Sequence, residues 1–141
     1  MRIVLLTMIF LMPAAATLAE DLEEVPPVTN QMAKKECGAC HMAYQPALLP
    51  AQSWQAIFGD LANHFGDDAS LADAARKEIA DYYIAHAGKT GGSATSRITE
   101  SGWWLDEHDD IKASRWNAPE VKFKGNCIAC HKAADQGSYE D

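Results

Sequence analysis

Two five-residue stretches of one kind constrain this chain most: Cys37-Gly38-Ala39-Cys40-His41 and Cys127-Ile128-Ala129-Cys130-His131. Each reads C-x-x-C-H, the pattern that attaches a c-type haem. The two thiols add to the two vinyl groups of the porphyrin, and a two-residue gap on a helical segment matches the spacing of those vinyls. The His that follows is carried beneath the ring as the proximal iron ligand. Together the motifs use all four cysteines of the chain.

Other uses of these cysteines fit less well. A redox dithiol of the thioredoxin kind needs a βαβ setting, and no strand-rich alternation is present. Two C-x-x-C pairs suit one zinc ion, but these lie 90 positions apart, and a zinc ribbon has no need of the His that closes each motif. A disulfide within C-x-x-C closes a strained ring that is rarely structural.

Residues 1–19 read as a secretory signal. Met1-Arg2 is a short basic start, Ile3 to Met12 an apolar run, Pro13 a break, and Ala14 to Ala19 a small-residue stretch suited to cleavage after Ala19. A membrane anchor is the rival reading, but the run falls well short of the roughly 20 apolar residues that a span requires. No later stretch is apolar enough to span, so the expected mature chain is exported, soluble and periplasmic. That agrees with the cysteines, because c-type haem is attached on the periplasmic side. The mature length makes a modest core, and small exported domains usually need a staple. Two covalent haems would supply much of the apolar interior, so the apoprotein is expected to fold poorly.

The formal charge is −8. Loss of Arg2 with the signal makes it one unit more negative, and haem propionates add to that. Such a surface argues against nucleic acid and anionic membranes as partners. It favours a basic or neutral redox protein, with docking rates that fall as salt rises.

After an extended acidic lead-in, Thr29 or Asn30 is placed to cap a helix from Gln31 to about Cys40, which delivers the first motif. Pro46 and Pro50 stop it. A second helix is predicted from about Ala51 to Phe65, with Trp54, Ile57, Phe58, Leu61 and Phe65 at helical spacing and Gly66 as its cap. His64 continues the Trp54–Ile57–Leu61 seam and so faces the apolar side. An inward His is often only a satisfied core side chain, but a haem protein needs axial ligands, and ligand is the preferred reading. Ser70-Leu71-Ala72-Asp73 forms a loose capping box for a third helix bearing Leu71, Ala75, Ile79, Tyr82, Tyr83 and His86 on one face, closed by Gly88. His86 is the weaker ligand candidate, equally suited to the surface or to a propionate.

Lys89 to Ser96 reads as a joint that divides residues 20–92 from 93–141, one haem-binding half each. Trp103, Trp104 and Leu105 read as residues that pack against haem or core. Asp106 to Ile111 looks helical, with His108 one turn from both Leu105 and Ile111 and therefore inward. The acidic residues around it read as a solvated face, with a docking site as the alternative. A last helix is predicted from Gly125 to about Ala134, followed by a frayed polar tail.

His41 and His131 are proximal by motif, which leaves His64, His86 and His108 for the opposite faces. No His or Met follows His131, so the second haem takes any sixth ligand from upstream. The simplest pairing is His41 with His64 and His108 with His131, and a crossed pairing stays open. Met42 follows its proximal His too closely to reach the other face, and Met32 is also poorly placed. Paired histidines predict low-spin haems of fairly low potential, because a thioether ligand is what raises it. A filled coordination shell points to electron transfer rather than oxygen or peroxide chemistry.

The sequence also resembles the small soluble dihaem cytochromes c of bacteria. The resemblance rests on the run Glu36 to Tyr44, on Leu49-Pro50-Ala51-Gln52-Ser53-Trp54, on His64 to Leu71, and on Asn126 to His131. It implies a mostly α-helical protein, with short helices packed around two covalently attached haems that carry His at both axial positions. His64 lies in a matching block, and His108 in the region where the family carries its other His. The resemblance further implies an electron shuttle, with an oxygen-binding monohaem cytochrome c as acceptor and a membrane cytochrome b as donor. Rival classes are a haem enzyme with one open iron position (peroxidase-like or acting on sulfur compounds), a gas-binding sensor, and a subunit of a membrane complex.

Overall fold

The computed structural model describes residues 22–89 and 95–140. The stretch read as an export signal and residues 90–94 of the joint lie outside them. The regular elements are all helical: α1 (Gln31–Cys37), α2 (Ala51–Gly59), α3 (Asp73–Ala85), α4 (Gly102–Glu107) and α5 (Ala113–Trp116). Between and after them stand single 3-10 turns at Pro46–Leu48, Leu61–Asn63, Ile98–Glu100, Cys127–Ala129 and Ala134–Gln136. Among the described residues there is no strand, only isolated bridges. The mostly α class expected of the sequence is the class observed. No described helix is long and apolar enough to cross a membrane.

The centre is the pair α2 and α3. Trp54 and Phe58 on α2, and Ile79 and Tyr83 on α3, are each one turn apart and all buried, which makes one apolar stripe per helix. Tyr83 meets Trp54 and Phe58 edge-on, at 4.6 and 5.4 Å between ring centres. Both polar aromatic groups find acceptors. The Trp54 indole N–H donates to the carbonyls of Pro46 and Leu49, and the Tyr83 hydroxyl donates to the carbonyl of Tyr44 at 2.8 Å. The core therefore grips the chain just downstream of the first motif. Asn30 caps α1 by accepting from the amide of Ala33, and Lys34 and Lys35 occupy the last turn, where a cation suits the helix dipole.

Several boundaries differ from the sequence expectation. α1 stops at Cys37, so only the first cysteine of its motif is helical. α2 ends at Gly59 rather than Phe65: Asp60 leaves helical geometry and its carboxylate accepts from the Asn63 side chain. α3 begins at Asp73 with no side-chain cap, because Asp68 instead takes the amide of Ser70 and holds that stretch extended. α4 begins at Gly102, four residues earlier than expected. The second motif sits on a 3-10 turn, since Asn126 ties the carbonyls of Glu120 and Val121 into a tight loop just ahead of it.

The tail is not frayed. Glu24 and Ser138 form a bridge, Val25 N–H donates to Gly137 O, and Tyr139 N–H donates to Glu23 O. Gly137 is required there: its φ is +91°, and a Cβ would lie 2.0 Å from the carbonyl oxygen of Val25. Gln45 is fully buried and completes the tie, donating to Ala134 O at 2.7 Å and accepting from the Tyr139 hydroxyl at 2.6 Å. Gln45→Ala should therefore cost roughly 1–3 kcal/mol, since it leaves the Tyr139 hydroxyl without its acceptor and removes one of the two N–H donors to Ala134 O, the other being Gly137 N–H. Tyr139→Phe, which loses one bond, should cost about 1 kcal/mol. Thermal unfolding of the haem-loaded proteins checks both.

Candidate haem-binding site

The first motif leaves α1 at its C-terminal end. Cys37 is half-buried, Cys40 exposed, and no disulfide joins any of the four cysteines. His41 follows in irregular chain, its ring lying face-on against Tyr44 at 4.7 Å and 20°. His41 Nδ1–H donates to the Met42 carbonyl at 2.7 Å. A carbonyl only accepts, so this bond fixes the proton on Nδ1 and leaves Nε2 as the ring's lone-pair donor.

His64 reaches the same place from a tight turn rather than from a helix. Its amide and carbonyl pair with Asp67 in both directions, and Phe65 and Gly66 take positive φ of 57° and 112°. The rings of His41 and His64 stand 6.1 Å apart at 23°. Burial, and then the neighbouring His41, hold His64 below the usual histidine range, outweighing Asp67. The neutral ring is the form that binds a metal.

The second motif repeats the arrangement with other parts. Cys127 is half-buried and Cys130 exposed, with an Arg115 N–H 3.3 Å from the Cys130 sulfur. Burial pushes the Cys127 thiol up to about 11. His108 is the residue that ends α4. Its Nδ1–H donates to the Trp104 carbonyl at 2.8 Å, and its ring lies on the Trp104 indole at 4.2 Å and 12°. The rings of His108 and His131 stand 6.2 Å apart at 81°.

The geometry therefore brings together His41 with His64 and His108 with His131. His86 joins neither pair. It is exposed, and its Nδ1 bonds the Tyr82 carbonyl within its own helix. His108 faces inward for a different reason than its sequence neighbours suggest. Leu105 and Ile111 are 49% and 37% exposed, whereas Trp104, one turn before His108, is 4% exposed. Of the two, Trp104 packs in the protein core and Leu105 does not.

Sequence reasoning missed the contact between the two sites. The Tyr44 hydroxyl donates to the carbonyl of Gly125 at 2.8 Å, two residues before Cys127. Gly125 has room for this only because it lacks a side chain: a Cβ would stand 2.7 Å from that hydroxyl oxygen. The run from His41 to Gln45 is thus held by both halves of the chain. Its partners in the downstream half lie 81 to 94 positions away, so no local pattern announces them.

These donors fit an iron porphyrin. Two imidazoles bonded to opposite sides of one metal, each by a bond of about 2 Å, have ring centres about 6 Å apart. Each pair also stands beside one C-x-x-C. The indole N–H of Trp103 is buried and meets no acceptor among the described residues. A bound group carrying carboxylates is what such a donor suits.

Comparison with known proteins agrees. The family model for dihaem cytochrome c matches residues 33–139. A diheme cytochrome c from Rhodobacter sphaeroides is 38% identical, with a TM-score of 0.74 over 81% of this chain and 99% of that one. A second Rhodobacter sphaeroides structure, of purified DHC, is 42% identical, with a TM-score of 0.72 over 79% and 98%. A diheme cytochrome type c from Shewanella baltica is 38% identical, with a TM-score of 0.72 over 79% and 87%. No curated protein sequence matches. The chain belongs to the dihaem cytochrome c family, and its cofactors are two covalently bound haems c.

Proposed function

We propose that this protein is a periplasmic electron carrier in which Cys37 and Cys40 hold one haem and Cys127 and Cys130 the other. His41 and His64 are the axial ligands of the first iron, His131 and His108 those of the second. The observation that carries this reading is the pair of ring separations, 6.1 and 6.2 Å, each beside one motif. The haem supplies the one-electron change. The chain supplies four neutral imidazoles, the burial around them, and charge.

Two features of the chain suit a carrier rather than a catalyst. Both faces of each iron are assigned to a histidine, which leaves no position for peroxide or oxygen. The Nδ1 bonds of His41 and His108 to backbone carbonyls hold those rings in place during each electron change. The acidic balance supports docking to a partner with a basic or neutral face. A small monohaem c-type cytochrome as acceptor and a membrane cytochrome b as donor are the partners we propose.

Stopped-flow mixing of the fully reduced protein with an oxidised monohaem cytochrome c tests this. Two electrons should pass per molecule, at a rate that falls with salt, and the protein should not consume hydrogen peroxide catalytically. Sustained peroxide turnover would instead favour the haem-enzyme reading.

A further inference from the structure

The two histidine pairs have nearly the same separation but not the same orientation. At the first site the ring planes are 23° apart, and at the second 81°. In each pair one ring lies face-on against an aromatic neighbour. His41 lies on Tyr44 at 4.7 Å and 20°, and His108 lies on Trp104 at 4.2 Å and 12°. Both of these rings also spend Nδ1–H on a backbone carbonyl, which stops them turning about the bond to their Cβ. The partner rings meet their aromatic neighbours at steeper angles, His64 with Phe65 at 55° and His131 with Tyr139 at 65°.

The Trp104 ring is itself fixed. The indole is buried, tilts against Trp116 at 5.5 Å, and has the Lys124 ammonium over its ring at 5.7 Å. We infer that Tyr44 and Trp104 are positioning residues that set different axial ring planes at the two irons, near-parallel at His41/His64 and crossed at His108/His131. The inference rests on the ligation proposed above and goes beyond it by making the two haems electronically unlike.

The reason lies in ligand π orbitals. An imidazole bonded to iron interacts through the π orbital normal to its own ring. Two parallel rings act on the same iron d orbital and separate it from its partner. Two crossed rings act on one orbital each and leave the two nearly equal in energy. A ferric low-spin haem of the first kind gives three well-separated electron paramagnetic resonance lines. One of the second kind gives a single, strongly anisotropic low-field feature.

The experiment is electron paramagnetic resonance of the fully oxidised, haem-loaded protein near liquid-helium temperature. The wild type should show both signals in equal amount. Trp104→Leu should move or broaden the low-field feature and leave the three-line signal in place. Trp104→Phe, which keeps an aromatic face, should restore much of it. Tyr44→Leu should alter the three-line signal, and Tyr44→Phe, which keeps the aromatic face and loses only the hydroxyl bond to Gly125, should keep it.

Two identical three-line signals in the wild type would overturn the inference, whatever the variants do. So would a low-field feature untouched by Trp104→Leu in protein that keeps both haems. A high-spin signal in the wild type would contradict the paired ligation beneath it. That outcome is distinct from two low-spin haems of one shape, which contradicts the crossed planes only.

Discussion

His64→Ala opens the first haem to carbon monoxide, His108→Ala opens the second, and His86→Ala opens neither. Each expectation follows from which rings the fold brings within reach of one iron. His64 stands 6.1 Å from His41, and His108 stands 6.2 Å from His131. The exposed His86 has its Nδ1 committed to Tyr82 in its own helix. The effect should be all-or-none at each site. An imidazole removed from a folded pocket leaves a coordination position that the small apolar Ala cannot fill. The reduced variants should each bind carbon monoxide at one of their two haems, with the opened haem turning high-spin in the oxidised state. The potential of that haem should also rise, since a strong nitrogen donor to ferric iron is lost. Optical spectra of the reduced proteins, with and without the gas, read all three variants. A haem opened by His86→Ala would overturn the pairing.

The second large effect is on folding. Cys127→Ser combined with Cys130→Ser should strip the second haem and unfold much of the chain beyond the joint, while α2 and α3 stay packed. The asymmetry comes from where apolar side chains are buried. One connected cluster of Val28, Ala33, Leu49, Trp54, Phe58, Leu61, Ile79 and Tyr83 lies upstream of the joint. Downstream, only Trp104, Val121 and Ala134 are buried apolar residues among those described. At roughly 1.5–3 kcal/mol for each large side chain, these three are too few to order the segment without the haem they surround. Hydrogen exchange of the variant should show amides of α4 and α5 losing protection and those of α3 keeping it. The matching pair, Cys37→Ser with Cys40→Ser, should leave the α2 and α3 pairing more intact than its counterpart leaves α4. Uniform loss of protection in both would show that the upstream cluster does not stand alone.

Part of this architecture is readable from residue order because its physics is local. The C-x-x-C-H motifs declare their chemistry in five residues. The spacing of Trp54 with Phe58, and of Ile79 with Tyr83, declares two helices and the faces that meet. Where the physics is less local, sequence order misleads or is silent. The helical period carries α2 through to Phe65, yet Asp60 ends it. His64 arrives beside His41 through a turn that needs Phe65 and Gly66 at positive φ. His108 points inward because Trp104 lies one turn before it, while the apolar neighbours Leu105 and Ile111 face outward. The tie through Tyr44, Gln45 and Tyr139 has no signature at all, since each of its bonds joins residues more than 80 positions apart. A polar tail of this composition reads as frayed until Gln45 is known to be buried beneath it.

Closure of both irons by paired histidines, as proposed, is read from the optical spectrum of the fully reduced wild-type protein before and after carbon monoxide, under native conditions. Low-spin spectra for both haems, with no change on adding the gas, are the expected result. Carbon monoxide bound by the folded wild type would contradict it, because at least one iron would then have a position that no histidine closes.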